Sequence, residues 1–346
     1  MIKVVECSLR REIIPPSLWA RRPYHVNSVG LEVPRVIKRE AERFAQEFVD
    51  YYCSHASPPF SSHHHGIPWS GTYLRMDLFV DPSCESVALL EVNSRFVDGW
   101  GSSLNLTRAV GNYASNADAE QIKWRFPSSW FLPANNMAYR AEFNLAMSEL
   151  TLMGAGGLGG VQEMKRWEYT SCEDVVTYLY ADHHHAEAEV YYYGWDRPGT
   201  QHLMWLPVYG YDLENKRLLA EFSWNWRSAC FTIPRCYTDP VSWEDIPKEQ
   251  VIWKFCEKNS PDSMRASTNI VYPNELGKGK FVRQCYHRHS IIAQDIVPSL
   301  EAGGNICQLI LLAAEGKVVT GYTLWAPSGT RVITDAYTHG PLIWGD

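Results

Sequence analysis

The sequence has no excess of basic residues: 32 Lys and Arg stand against 39 Asp and Glu, a formal net charge of −7, and no Lys/Arg block stands out. Nucleic acids and membrane surfaces recruit basic patches, so neither is expected as a partner. No uninterrupted apolar run approaches the roughly 20 residues that cross a bilayer. The N-terminal run Met1-Ile-Lys-Val-Val-Glu-Cys7 lacks the apolar core of a secretion signal, which makes a cytoplasmic location the expectation. The nine cysteines include no C-x-x-C pair, and this favours reduced, buried thiols over a zinc ribbon or a disulfide framework. What is abundant is apolar surface. With 45% hydrophobic residues in 346, the chain can bury a sizeable core as one large domain or two interlocked ones. The 14 Trp and 19 Tyr fit either a heavily aromatic core or an aromatic-lined cleft.

The stretch from Tyr73 to Asn93 holds the most unusual polar residues. Two β-like apolar runs, Tyr73–Val80 and Val87–Asn93, are joined by Asp-Pro-Ser-Cys-Glu-Ser, whose composition suits a turn. Arg75 and Asp77 lie two apart in the first run, Glu91 and Asn93 two apart in the second, so each pair shares a strand face. An antiparallel register that sets Asp77 opposite Glu91 also sets Arg75 opposite Asn93, and a one-residue slip would send one pair to the other face. Carboxylates held side by side call for a cation. Hard oxygen donors without Cys or His point to Mg²⁺.

Elsewhere the patterning is mixed. Ile2–Cys7 reads as a strand, and Ile37, Ala41, Phe44, Phe48 and Tyr51 recur at helical spacing after Pro34. Residues 57–68, with His63, His64 and His65, read as a loop. Helices are expected near Leu106–Ala117 and over residues 139–152. The G-x-G-x-x-G at Gly154, Gly156 and Gly159 follows a helix-like segment where a dinucleotide site needs a strand, so a substrate-facing loop is the better reading. Residues 171–180 read as a capped helix ending near His183, His184 and His185, and 189–194 and 203–211 as strands. A helix opens at Asn215 and Lys216. Strands are expected at 231–237, at 250–255 with Lys254, at 280–286 and at 290–297, with a small, polar flap over 256–268. Two lysines on separate elements, a flap and an apolar strand ending at Gln294 make a nucleotide pocket plausible, since lysines balance phosphate charge.

This order of parts resembles the ATP-grasp superfamily, and within it the circularly permuted glutathionylspermidine synthase-like ligases. In that group an Arg-x-Asp strand and a Glu-x-Asn strand precede the nucleotide lysines, as Arg75/Asp77 and Glu91/Asn93 precede Lys216 and Lys254. The resemblance spans about residues 70–346. It implies an α+β fold of antiparallel sheets flanked by helices, divided into an N-terminal segment 1–68, a metal-hairpin and substrate region 69–215, and an ATP lobe 216–346 that completes one interlocked unit with 69–110. It further implies Asp77, Glu91 and Asn93 as Mg²⁺ ligands, Arg75 as a catalytic residue at the transferred phosphate, Lys216 and Lys254 on the ATP phosphates, Gln294, Asp295, Ile296 and Val297 at adenine, and Glu301 at the ribose. Arg95 and Asp98, on the loop leaving the second strand, are candidates for substrate contact. The family's arginine in the Gly-x-x-x-Arg strand is missing from Gly321–Trp325, with Arg331 the available substitute, and the amidase-like extension has no counterpart.

The activity implied is ATP-dependent joining of a small-molecule or peptide carboxylate to an amine through an acyl phosphate, with ATP and Mg²⁺. Two other readings keep different parts of the pattern. One is a catalytically degenerate ATP-binding protein of the same fold, the other a metalloprotein using the two His-His-His runs.

Overall fold

A computed structural model defines residues 1–19, 22–55, 73–94, 97–111, 129–132, 139–153, 160–163, 177–179, 213–257, 260–266, 270–272, 279–314, 316–330, 332–334 and 336–346. In chain order the first elements are β1 (Lys3–Glu6), β2 (Ser17–Trp19), β3 (Arg22–Pro23), β4 (Val29–Pro34), α1 (Arg35–His55), β5 (Tyr73–Val80), β6 (Val87–Asn93), α2 (Trp100–Ala109), β7 (Ser129–Leu132), α3 (Arg140–Leu152), β8 (Gly160–Glu163) and β9 (Thr177–Leu179). The later ones are α4 (Lys216–Ser223), β10 (Phe231–Thr232), β11 (Cys236–Tyr237), β12 (Val251–Phe255), α5 (Pro261–Ala266), β13 (Ile270–Val271), α6 (Gly279–His287), β14 (Ile291–Asp295), β15 (Glu301–Ala302), β16 (Asn305–Ala314), β17 (Lys317–Pro327) and β18 (Thr338–Gly345).

Nine strands form one mixed sheet in the order β1-β4-β18-β17-β16-β5-β6-β10, with β15 paired to β16. Its pairs are antiparallel except β4 with β18 and β6 with β10. A second, antiparallel sheet of four strands has the order β11-β14-β12-β13. The fold is mixed α+β, as expected. Its large sheet draws strands from all three of the expected segments.

Period-two patterning explains how the large sheet is buried on both sides. Leu74, Met76, Leu78 and Val80 of β5, with Leu309, Leu311 and Ala313 of β16, pack against Ile37, Ala41, Phe44 and Phe48, the stripe expected on α1. Phe44 is fully buried and sits against Phe48, Phe222, Trp226 and Phe231, so truncation to Ala would cost about 3–5 kcal/mol. On the other face, Tyr73, Ile310, Leu312 and Ala314 meet Trp100 and Leu104 of α2 and Phe143 and Leu150 of α3. In the small sheet, Val251, Trp253 and Phe255 pack on Val282, Cys285 and Tyr286 of α6, which turns Ile252 and Lys254 to the opposite side.

Several expectations are corrected. Residues 280–286 form helix α6, not a strand: Val282, Cys285 and Tyr286 are buried at helical spacing. The expected strand 231–237 is two short strands in different sheets, β10 and β11, with Pro234 between them. Thr177–Leu179 is a strand where a helix was expected, and α2 starts earlier, at Trp100, after a left-handed Gly99. A short helix, α5, lies inside the expected flap. The strand paired with β5 is β16, with β17 next to it, and Gly329, Thr330, Val332 and Ile333 after β17 line the same cleft as Asp77 and Glu91. The loop 57–68, Gly154–Gly159, the strands at 189–194 and 203–211 and both His-His-His runs lie outside the described residues. No helix among the described residues is long and apolar enough to cross a membrane.

Candidate functional site

Between the two sheets lies a cleft of about 800 Å³. The large sheet contributes Asp77, Phe79, Leu90, Glu91, Ile306 and Gln308 to its walls. The small sheet and the segment after it contribute Ile252, Lys254, Gln294, Asp295, Ile296 and Val297, and Lys216 enters from the first turn of α4.

The hairpin has the register the sequence suggested: Asp77 pairs with Glu91 and Arg75 with Asn93. Between Asp77 and Leu78 the ladder shifts, so Leu78 pairs with Leu89 and Leu90 becomes an extra, bulged residue. The bulge decides which way Glu91 points. Val87 and Leu89 face the core beneath α1, and so does Val92, three positions on; in an unbroken strand Glu91 would share their face and be driven into apolar surroundings. Inserting Leu90 reverses the phase and delivers Glu91 to the cleft beside Asp77. This switch of apolar parity between Leu89 and Val92 was visible in the sequence and is the signal that reveals the bulge.

The bulge has a second effect. Lys254 Nζ donates to the Leu90 carbonyl at 2.8 Å, tying the two sheets together across the cleft. Lys254 is only 4% exposed, and burial lowers its pKa from 10.5 to about 8, with Lys216 pushing the same way and Glu91 and Asp77 opposing. Lys216 is held by its place at the start of α4, where the Asn215 side chain accepts from Arg217 N (2.9 Å) and Lys216 N donates to the Cys256 carbonyl (3.0 Å). Its Nζ lies 3.6 Å from Glu91 Oε2 and has no hydrogen-bond partner among the described residues. Two nearly buried lysines therefore face two carboxylates, with one ammonium left short of acceptors. That arrangement suits an anion.

Arg75 lies deeper than the cleft wall. Its Nε donates to Asp77 Oδ1 (2.9 Å) and its Nη1 to Asp98 Oδ1 (2.7 Å), so Asp98 is first of all a buried partner of Arg75. Asn93 is buried beside Arg75 across the ladder. The end of β6 is anchored through Ser94 N, which donates to Glu214 Oε1 (2.9 Å), two residues before Lys216. Glu301 stands away from the cleft wall, exposed and accepting from Ser328 Oγ (2.6 Å). Arg95 and Arg331 lie outside the described residues. Gln308, Phe79 and Tyr272 line the cleft and were not singled out from the sequence. For Gln308 the signal was a lone amide in the otherwise apolar run Ile306–Ala314.

Among the described residues no group of three or more His, Cys, Asp and Glu side chains gathers as a metal cage. Two paired carboxylates and a nearby amide still match a hard divalent ion of the Mg²⁺ type, which completes its shell with water and phosphate.

No protein-family model matches the chain, and no curated protein matches it in sequence. Among solved structures, a candidate gamma-glutamylcysteine synthetase from Methylobacillus flagellatus aligns over 97% of this chain and 87% of its own, at 11% identity and a TM-score of 0.39.

Proposed function

We propose that the protein is an ATP-dependent carboxylate–amine ligase with a circularly permuted, ATP-grasp-like core. The observation that carries this reading is the cleft's composition: Asp77 and Glu91 from one sheet confront Lys216 and Lys254 beside the other, and the cavity continues into an apolar end. Permutation is supported by chain order, since the carboxylate strands precede the lysine elements although β16 and β17 complete their sheet.

A carboxylic acid and an amine form a salt at neutral pH, so the acid must first accept the γ-phosphoryl group and become an acyl phosphate. In this reading Lys216 and Lys254 bind the phosphate chain and neutralise charge that spreads during transfer, each donor already positioned by α4 or by the bulge. Asp77, Glu91 and the Asn93 amide would hold Mg²⁺, which supplies charge compensation on phosphate oxygens. Arg75, fixed by Asp77 and Asp98, orients Asp77. The amine then attacks the acyl phosphate and phosphate leaves. Ile270 and Tyr272, at the end of the stretch after α5, wall the cleft and help keep water from the acyl phosphate.

The test is a screen of amino acids, short peptides and polyamines, in pairs, for ADP release that requires both a carboxylate and an amine, with mass spectrometry of the product. Asp77→Ala should abolish Mg²⁺-dependent ADP formation while leaving the circular dichroism spectrum unchanged. Retained turnover in that variant, or no stimulation by any pair, would refute the assignment.

A further inference from the structure

The chain crosses from the large sheet to the small one between β10 and β11, and a second pocket of about 490 Å³ opens at that crossing. Thr232 lines it from the β10 side, Arg235 and Cys236 from the β11 side, and the turn after α4 supplies Trp224, Trp226 and Arg227. It shares no lining residue with the cleft, but the two have a common partition: Cys236 lines the pocket, Gln294 lines the cleft, and Gln294 Nε2 donates to Cys236 Sγ at 3.6 Å. A space of this size suits a small organic molecule.

In a chain of net charge −7, this pocket is lined by two arginines and by no carboxylate among the described residues. Arg235 lies over the ring of Tyr237, its guanidinium carbon 4.7 Å from the centroid. Stacking of this kind uses the face of the guanidinium and leaves its in-plane N–H fork for an oxyanion. Arg227 gives Nη1 to the Trp226 carbonyl (2.6 Å), and neither arginine forms an ion pair among the described residues. Arg43 shows the contrast: 4.0 Å over Trp226, it is held by Glu40 (2.7 Å) and Glu47 (3.1 Å), so Glu40, the carboxylate beside Ser228, is already compensated. The hydroxyls offer an anion little, since Ser223 donates to the Ala220 carbonyl (2.6 Å) and Thr232 to the Val87 carbonyl (3.2 Å). The rest of the wall is indole. Trp226 is fixed by its N–H bond to the Phe231 carbonyl (2.8 Å), whereas Trp224 is 45% exposed and can be covered by a ligand arriving from solvent.

We propose that this pocket is a second ligand site, separate from the cleft, for a small organic anion: a carboxylate or a phosphate monoester seated on Arg227 and Arg235, with an aromatic or aliphatic body against Trp224. Both oxyanions match the forked donors of arginine, and the indole rewards an apolar body with buried area. The proposal does not depend on the ligase reading.

The experiment is calorimetric titration of the full chain with phenyl phosphate and with phenylacetate, which separate the two oxyanions, and with inorganic phosphate and phenol as the anion-only and ring-only controls. At least one organic anion should saturate with a Kd of about 1 mM or tighter, and bind about tenfold more tightly than either control. Arg235→Gln and Arg227→Gln should each weaken that binding by about tenfold or more. Both side chains are exposed, and Arg235→Lys, which keeps the charge without the fork, serves if a glutamine variant fails to fold; it too should bind more weakly. Lys254→Met, which removes a cation of the cleft, should leave the affinity unchanged. Four results would overturn the proposal: no saturable binding of either organic anion, a control that binds as tightly, unchanged affinity in the arginine variants, or loss of binding in folded Lys254→Met, which would put the anion in the cleft.

Discussion

Lys254 crosses from the small sheet to donate to the carbonyl of Leu90, a residue that is itself the extra member of a β-bulge in the large sheet. One irregularity of the ladder thereby aims Glu91 into the cleft and supplies the acceptor that holds its facing lysine.

Deleting Leu90 should separate these two effects. The shortened run Val-Ala-Leu-Glu-Val-Asn alternates without a bulge and keeps Glu91 toward the cleft and Val92 toward the core. The variant should fold, with a regular ladder, while Lys254 loses its acceptor and nucleotide affinity falls by about tenfold. Calorimetry and thermal melting report the two. An unfolded product would show that the bulge is needed for the sheet itself.

The lowered pKa of Lys254 has a measurable pH signature. Between about pH 8 and 10.5 the unfolded chain carries a proton here that the folded chain has released, so this group makes folding more favourable as pH rises through that window and penalises it fully below. The unfolding free energy of the wild type, measured against Lys254→Met, should gain on the variant by up to about 3 kcal/mol over that range. A difference that stays flat would place the charge in a better solvated setting.

If phosphates are the natural partners of that ammonium, nucleotide affinity follows the opposite course. MgATP should bind at full strength below about pH 8 and progressively more weakly above it as the free protein's Lys254 discharges. In Lys254→Met the profile should be flat over the same interval.

Glu91→Gln removes the carboxylate 3.6 Å from Lys216 and one that supports the charge on Lys254. Two nearly buried ammonium groups then lose compensation, and stability should fall by on the order of 3 kcal/mol. Added ATP should recover more melting temperature in this variant than in the wild type, because phosphate supplies the missing negative charge.

Asp98→Asn tests the assignment of Asp98 to Arg75. The pair is 2.7 Å apart with both side chains about nine-tenths buried. Its loss should lower turnover through misplacement of Asp77 and reduce thermal stability, with little change in the KM of the carboxylate substrate. A selective rise in that KM would restore Asp98 to the substrate-contact role expected from the sequence.

The hairpin was legible because two short polar pairs interrupt runs whose alternation fixes faces, and register follows from faces. Helix α1 was legible from its apolar stripe, and α4 from the Asn215 cap. Residues 280–286 misled because Phe, Val, Cys and Tyr carry strand-like composition, while the spacing of Val282, Cys285 and Tyr286 was helical and decided the outcome. The cleft was half legible. Lysines and carboxylates announce themselves by charge, but Gln308 acquires meaning only when β16 sets it beside Phe79, a pairing across some 230 residues that no local pattern encodes.

The strand order β18-β17-β16-β5-β6 also constrains how the protein is made. During synthesis β5 and β6 emerge early, yet the strand that covers the β5 edge is translated more than 200 residues later. Until then a long, apolar edge stays unpaired and open to any neighbouring chain, so closing the sheet is a late, long-range step of folding.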